Sequence, residues 1–382
     1  MTNEIQQDQT FNNIFIAGTK GKRFDITIRG GRFSSIVESN SPVAEDENSG
    51  SDLWISPGVI DLHTHLAWTD FDHDDQLKRD ALEVEVLQAQ AFEATLRTGV
   101  TTARDAGGLL PGVVKHIAQK YNQPLSVHTC GDMLGAGDAR GIKYLEQRVT
   151  DIIHSGATWI KILATGGLGA TPDTVLNPAF SEEEFAYIVR TAHALGAKVL
   201  VHTWGGPTVD WSIDTGVESV EHGMYLTEEQ AYRLAQSKTA FVPTASIYRI
   251  AADPVGVLGL PEVIRDRAAR AAAAHPQAIS YARRAGVRIG FGTDYATPAL
   301  HGHNLGELDV LMDCGLTREE AWQAATSSAA DILGYGDSLG RIQEGFTADA
   351  ILFNADPYQS QSAQDLQKSI VSVIKGAAAL GS

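Results

Sequence analysis

A chain of 382 residues with 43% hydrophobic and 20% charged residues is long enough to bury a large core, and it is the length of a barrel carrying a small appendage. Lys and Arg total 30 against 47 Asp and Glu, and the resulting net charge of -17 argues against a nucleic-acid backbone or an anionic membrane surface as partner. Two cysteines, Cys130 and Cys314, make no disulfide framework, and such scarcity suits a cytoplasmic enzyme.

In chain order, the opening MTNEIQQDQTFNN is polar and lacks the basic-then-apolar order of a secretory signal. No later apolar run is long enough to cross a bilayer, so a soluble, cytoplasmic protein is expected. Residues 1–56 read as short strands and turns (NIFIAGTKGKRFDITIRGGRFSSIVES) followed by a polar loop, NSPVAEDENSGSD. From residue 57 the pattern changes. TGVTT (98–102), SGATW (155–159), LGAKV (195–199), TGVES (215–219) and AGVRI (285–289) each set a glycine and a small apolar residue before a β-branched run. This is a helix stopped by a left-handed glycine and turned at once into a buried strand. Ser181 with Glu184, and Thr317 with Glu320, have the spacing of capping boxes at helix starts, and Phe185, Ile188, Val189 and Ala192 follow the first at helical spacing.

The strands implied are GVIDLHTHL, VTTARDAG, PLSVHTC, WIKILATG, KVLVHTWG, VESVEHG, AFVPTAS and VRIGFGTD. Eight short strands alternating with helices predict an α/β fold, a (β/α)8 TIM barrel over residues 57–336, in preference to an open doubly wound sheet. The first strand leads into His-x-His where a doubly wound fold would carry a glycine-rich phosphate loop. From 337 onward GRIQEGFTADAILFNADP and KSIVSVIKGAAAL return to strand character, so residues 1–56 and 337–382 are expected to pair as one small composite β-sandwich domain.

Polar residues gather at the strand ends, where a barrel of this kind keeps its chemistry: His63 and His65 on strand one, Lys161 on strand four, His202 on five, His222 on six and Asp294 on eight. Period-two alternation puts His63 and His65 on one face, aligns Leu200 with His202 and Val220 with His222, and puts Gly290 and Gly292 beneath Asp294, leaving it room. Taken singly, each residue has a plain reading. A histidine at a strand end is ordinarily a hydrogen-bonded polar group, Lys161 a snorkelling lysine, and Asp294 a helix cap. Taken as a set, they point to a metal centre. Lys161, between Ile160 and Ile162, has no easy route to water and must find a partner or lose its charge. Reaction with carbon dioxide does both, since the carbamate is a carboxylate-like bridge between two cations.

These motifs resemble the amidohydrolase superfamily over nearly the whole chain, from PGVIDLHTHL through WIKILATGG, VLVHTWG, ESVEHG and GFGTDYATP to GRIQEGFTADAILF. IKILATGG, GTDYATPALHGHN and GLTREEAWQAATSSAADILG are similar to the branch of metal-dependent dipeptidases acting on Xaa-Pro and Xaa-Arg, together with imidazolonepropionase-like enzymes and some amide, carbamate and urea hydrolases. The resemblance implies two divalent metal ions, usually zinc. His63, His65 and Asp294 would hold the more buried ion, His202 and His222 the more exposed one, and carboxylated Lys161 would bridge them. Dipeptidase relatives often carry a His-Gly-Asp segment after strand three; here it reads CGDMLGAGDARG (130–141), without the histidine.

Two such cations sharing a water lower its pKa from ~15.7 toward neutrality. The bridging hydroxide would attack the scissile carbonyl, and Asp294 would take the proton and pass it to the leaving nitrogen. Tyr225, Tyr248, Arg249 and His301 stand where loops should surround a small-molecule substrate, Arg249 as a carboxylate clamp or equally a surface ion pair. The acidic WTDFDHDDQ (68–76) reads as a solvated loop, Asp105 as structural support, and Asp61 shares the ligands' parity without an assigned role. The leading substrate class is a dipeptide or N-acyl amino acid, with a lactam, urea or carbamate as the alternative. A one-metal deaminase would lack the strand-four lysine, and a non-catalytic scaffold would lack ligands, whereas every position here is filled. Relatives of this kind often assemble as homo-oligomers.

Overall fold

The computed structural model describes residues 8–19, 21–39, 52–71, 73–170 and 175–376. The polar stretch 40–51, read as loop, and the final residues of the closing apolar run, 377–380, lie outside them. Among the described residues no helix is long and apolar enough to cross a membrane.

The two ends of the chain do pair. Gln9–Ile16 runs antiparallel to Arg23–Arg29, which pairs in turn with Arg32–Glu38. On its other side Gln9–Ile16 lies parallel to Trp54–Pro57, and the sheet continues through the antiparallel strands Ala350–Phe353 and Ile370–Ile374. Residues more than 290 positions apart in sequence thus share one six-stranded sheet. Its alternating apolar residues make a separate core of Ile14, Ile26, Ile28, Phe33, Ile55, Leu352 and Ile374, each worth ~1.5–3 kcal/mol when fully buried.

The central part is α/β. Val59–Thr64, Val100–Asp105 and Ser126–Thr129 form one parallel sheet; Met133–Leu134, Trp159–Leu163, Lys198–Thr203, Ser219–His222 and Ala240–Val242 form a second. Helices Ala81–Arg97, Ile142–His154, Glu182–Ala194, Pro207–Thr215 and Glu262–Ala285 connect them. All five are followed within two residues by a glycine of positive φ (Gly99, Gly156, Gly196, Gly216, Gly286), the stop signal legible in the sequence. Both capping boxes form, at Ser181 with Glu184 and at Thr317 with Glu320. Strand alternation sorts the side chains: Ile160, Ile162, Val199 and Val201 join Phe185, Ile188, Val189 and Ala192 of the covering helix, whereas Trp159 and Leu200 join a different core with Ile60, Leu62 and Val242. Lys161 shares the parity of Trp159, and so faces away from the helices and inward.

VRIGFGTD, expected as a regular eighth strand, makes one isolated bridge, at Ile289, and the residue that follows it, Tyr295, makes another. Its backbone hydrogen bonds go several ways. Gly290 N donates to Phe241 O (2.8 Å), Phe291 N to Ala324 O (3.0 Å), and Thr293 N to His63 O (3.0 Å), while Leu62 N donates to Phe291 O (2.9 Å). The segment therefore bonds to strands of both parallel sheets without forming a ladder. Its glycines make room for different neighbours than alternation suggests. A Cβ at 290 would lie 2.5 Å from Leu62 Cδ1, and one at 292 would lie 2.6 Å from Val242 Cγ1 and 2.8 Å from His63 Cβ. They admit Leu62, Val242 and His63, not Asp294. Gly292→Ala should destabilise the protein by ~1–3 kcal/mol through overpacking, whereas Gly112→Ala, with nothing within 4 Å of its new methyl, should not; denaturant unfolding of both compares them.

Candidate metal centre

The six residues expected as ligands converge. His63 Nε2 lies 3.4 Å from Asp294 Oδ1, His65 Nε2 3.2 Å from the same oxygen, and His222 Nδ1 3.8 Å from Asp294 Oδ2. Lys161 Nζ is 3.3 Å from His63 Nε2. The His222 ring is 4.8 Å from that of His63 and 4.5 Å from that of His202, centroid to centroid. Ligand atoms of His63, His222 and Asp294 all fall within 4.8 Å of one another. His63, His65, Lys161 and His222 are buried, and His202 and Asp294 are partly open.

Simple alternation does not build this cluster. The register of Val59–Thr64 against its neighbour shifts between Asp61 and Thr64, and Ile60 and Leu62 occupy the interior core. The irregular stretch is what carries His63 and His65 into the site. His222 has φ 70°, so the alignment of Val220 with His222 breaks at that residue; Thr244 (φ 49°) and Asp294 (φ 57°) are also left-handed. Each such non-glycine residue costs roughly 1–3 kcal/mol and persists only where surrounding contacts impose it.

Each imidazole has one nitrogen against a protein oxygen. His63 Nδ1 meets Glu221 Oε2 at 2.6 Å, His65 Nδ1 meets Gly107 O at 3.1 Å, His202 Nε2 meets Gly166 O at 3.2 Å, and His222 Nδ1 meets Thr244 Oγ1 at 2.7 Å. An N–H donated there leaves the opposite nitrogen with its lone pair, the form a metal requires. Burial, reinforced by neighbouring cations, lowers His202 to about 3 and His222 well below its usual range, so both are neutral. Burial raises the Asp294 carboxyl, but His63 and His65 beside it outweigh burial and bring it well below its ordinary range. Burial also lowers the Lys161 ammonium against the pull of Glu221 and Asp294. A neutral amine is the form that reacts with carbon dioxide. Four imidazoles, a carboxylate and an amine fit divalent transition ions such as zinc.

Two supporting residues, Glu221 and Asp61, carry no signal of their role in the sequence. Glu221 bonds His63 and pairs with Arg104, Nη2 to Oε1 3.0 Å, both fully buried. Burial raises its carboxyl, yet Arg104 and His63 bring it to about 2. Strand parity turns Glu221 away from His222, and only the break at His222 makes both useful. Asp61 accepts from Thr293 Oγ1 (2.8 Å), Thr293 N (3.1 Å) and Asn304 Nδ2 (3.0 Å), strapping the eighth segment to the first strand. Asp105 is structural, accepting from the backbone N of Leu66 (2.7 Å), Gly107 (3.1 Å) and Leu109 (3.2 Å), and so shapes the loop whose Gly107 carbonyl holds His65.

The expected substrate contacts divide. Tyr248 is buried with its ring 5.9 Å from that of His222, edge on. Burial and then Asp294 push its phenol well above the usual range, so it remains a donor. Tyr225 is half-buried beside Trp204, 6.3 Å between rings. Arg249 is not brought to the ligands: its Nη1 donates to Asp313 Oδ2 at 2.7 Å, the surface ion pair of the two readings. His301 is buried with Nδ1 3.2 Å from Thr95 Oγ1 of helix Ala81–Arg97. In the acidic loop Asp70 is paired bidentately with Arg79, at 2.5 and 2.7 Å.

A parallel α/β framework with such a cluster at its strand ends suits hydrolytic chemistry, and comparison gives the family. The amidohydrolase family model matches residues 54–379, so the chain belongs to the amidohydrolase family, whose members are hydrolases acting on C–N bonds. Ochratoxinase of Aspergillus niger is 27% identical over 362 residues, 84% of this chain and 74% of that protein. Imidazolonepropionase of Acidiphilium cryptum is 25% identical over 342 residues, 79% of each. The crystal structure of a Xaa-Pro dipeptidase with bound methionine in the active site superposes with a TM-score of 0.83 at 24% identity, covering 97% of this chain and 98% of that one, a likeness of fold.

Because Arg249 is engaged with Asp313, Arg249→Ala should leave kcat/KM for any hydrolysed substrate within about twofold. It should cost at most ~1 kcal/mol of stability, the ceiling for an exposed pair. Steady-state kinetics with thermal unfolding checks both.

Proposed function

We propose that the chain is a binuclear-metal amidohydrolase that cleaves the amide bond of a dipeptide or N-acyl amino acid. The observation carrying this reading is the convergence of four imidazoles and Asp294 on buried Lys161. His63, His65 and Asp294 would hold the more buried zinc ion, His202 and His222 the more exposed one, and a carboxylated Lys161 would serve both. The framework would be a (β/α)8 barrel over 57–336, closed through the irregular eighth segment, with 1–56 and 337–382 as the small β domain. Its support is the hydrogen bonding of that segment to strands Val59–Thr64 and Ala240–Val242, and of Thr158 N to Thr129 O (3.3 Å) between the sheets.

Bound divalent metal supplies an acidified water and polarisation of the scissile carbonyl. The protein's own part is proton handling and positioning. Asp294, ionised by its imidazole neighbours, accepts a proton and returns it to the leaving nitrogen, which must be protonated before the C–N bond breaks. Tyr248 keeps its phenol proton and contributes a donor beside the ligands. Neutral His202 and His222 leave their free nitrogens to the metal.

A lactam, urea or carbamate substrate is the second reading. The observation favouring it lies after strand Ser126–Thr129, where CGDMLGAGDARG has no histidine and commits Asp132 and Asp138 to Arg148 at 2.6 and 3.0 Å. The test is turnover of zinc-loaded protein on dipeptides, N-acyl amino acids, lactams and carbamates, with Asp294→Asn in parallel. Asp294→Asn should lose at least ~100-fold in kcat while still unfolding cooperatively; near-normal turnover by that variant would rule out the proton-transfer role, and no turnover of any amide by the parent would rule out the function.

A further inference from the structure

Beneath the ligands lies a closed polar cluster whose members come from four strands. Arg104, on Val100–Asp105, is fully buried and spends its guanidinium on three partners. Nε donates to Leu62 O at 2.6 Å, Nη1 to Ser219 Oγ at 3.1 Å and Nη2 to Glu221 Oε1 at 3.0 Å. Its plane rests over the Trp159 ring, 4.4 Å to the centroid. Ser219 Oγ also donates to Glu221 Oε1. That oxygen is therefore surrounded by donors, and only Oε2 remains to face His63 Nδ1, 2.6 Å away.

We infer that Arg104 and Ser219 orient Glu221 so that it fixes His63 as the Nδ1–H tautomer, presenting an unprotonated Nε2 to the metal centre. Donor count requires a carboxylate at this position. Arg104 has no acceptor, so whatever faces it must be an oxygen. A carboxylate offers oxygen on both sides and can accept from Arg104 and from His63 together. An amide cannot. In Glu221→Gln the amide oxygen must stay with Arg104, which turns the NH2 toward His63. That NH2 donates to Nδ1 and drives the ring proton to Nε2, the nitrogen 3.3 Å from Lys161 Nζ and 3.4 Å from Asp294. Arg104, Ser219 and Glu221 are positioning residues acting through His63. Arg104 also bonds the carbonyl of Leu62, immediately before His63, and so holds the backbone and ring of the same ligand.

The consequence for metal rests on the reading of a metal centre; the tautomer does not. Long-range nitrogen–proton correlation spectra of histidine-labelled, metal-free protein report the tautomer directly. The parent should show His63 as Nδ1–H and Glu221→Gln as Nε2–H. Zinc titration should then give a ~10–100-fold weaker tight site in Glu221→Gln, the usual effect of removing a partner that orients a ligand. Asp349→Asn serves as the control, because Asp349 is also buried but lies at the end of strand Ala350–Phe353 of the six-stranded sheet, where it accepts from Lys375 Nζ (2.5 Å) and Gly376 N (2.8 Å). It should lower the metal-free melting temperature without changing zinc affinity or the His63 spectrum. His63 found as Nε2–H in the parent, or an unchanged tautomer in Glu221→Gln, would overturn the inference. A parent with the Nδ1–H form that binds no zinc would uphold it and overturn the metal reading instead.

Discussion

The structure turns on the cost of enclosing charge. Lys161, Arg104, Glu221 and Asp294 meet where little water reaches, and an isolated ion moved there from water loses several kcal/mol or more even after relaxation. Each has its compensation. Arg104 and Glu221 neutralise one another, Asp294 is surrounded by imidazoles, and burial drives Lys161 toward its neutral amine. Removing one member leaves another exposed to the full desolvation penalty, so the cluster acts as a unit. An inert core would use apolar residues of similar volume; a cluster this polar is consistent with a site built to bind ions.

The local backbone is shaped to the same end. Strand alternation is adequate for the helix-facing residues, such as Ile160, Ile162, Val199 and Val201, which only need apolar burial. It fails at the candidate ligands, where several side chains from different strands meet at one point. The register slip in the first strand, the left-handed His222, Thr244 and Asp294, and the irregular eighth segment are the places where regular pairing gives way. Asp61, Asp105 and Glu221 hold these departures in place through hydrogen bonds to backbone or ring nitrogen.

Much of this architecture is legible in the amino-acid sequence. The glycines that end helices and the two capping boxes are local signals, decided within a few residues, and they all appear where expected. The candidate ligand set is legible because its residue types are rare in a buried strand. Pairings across the fold are not legible. Nothing near Glu221 in sequence indicates Arg104, and nothing near Arg249 indicates that Asp313 would engage it. The eighth segment reads as a regular strand because β-branched residues and glycines suit a strand and an irregular crossing equally well, and the distinction lies in which distant carbonyls accept its N–H groups.

The most direct test is metal content per chain in protein prepared with bicarbonate and without chelator, compared with Lys161→Ala. About two divalent ions are expected in the parent and fewer in the variant, because the lysine would supply a ligand shared by both ions. The same single ion in both proteins would contradict it, reducing Lys161 to a buried structural amine.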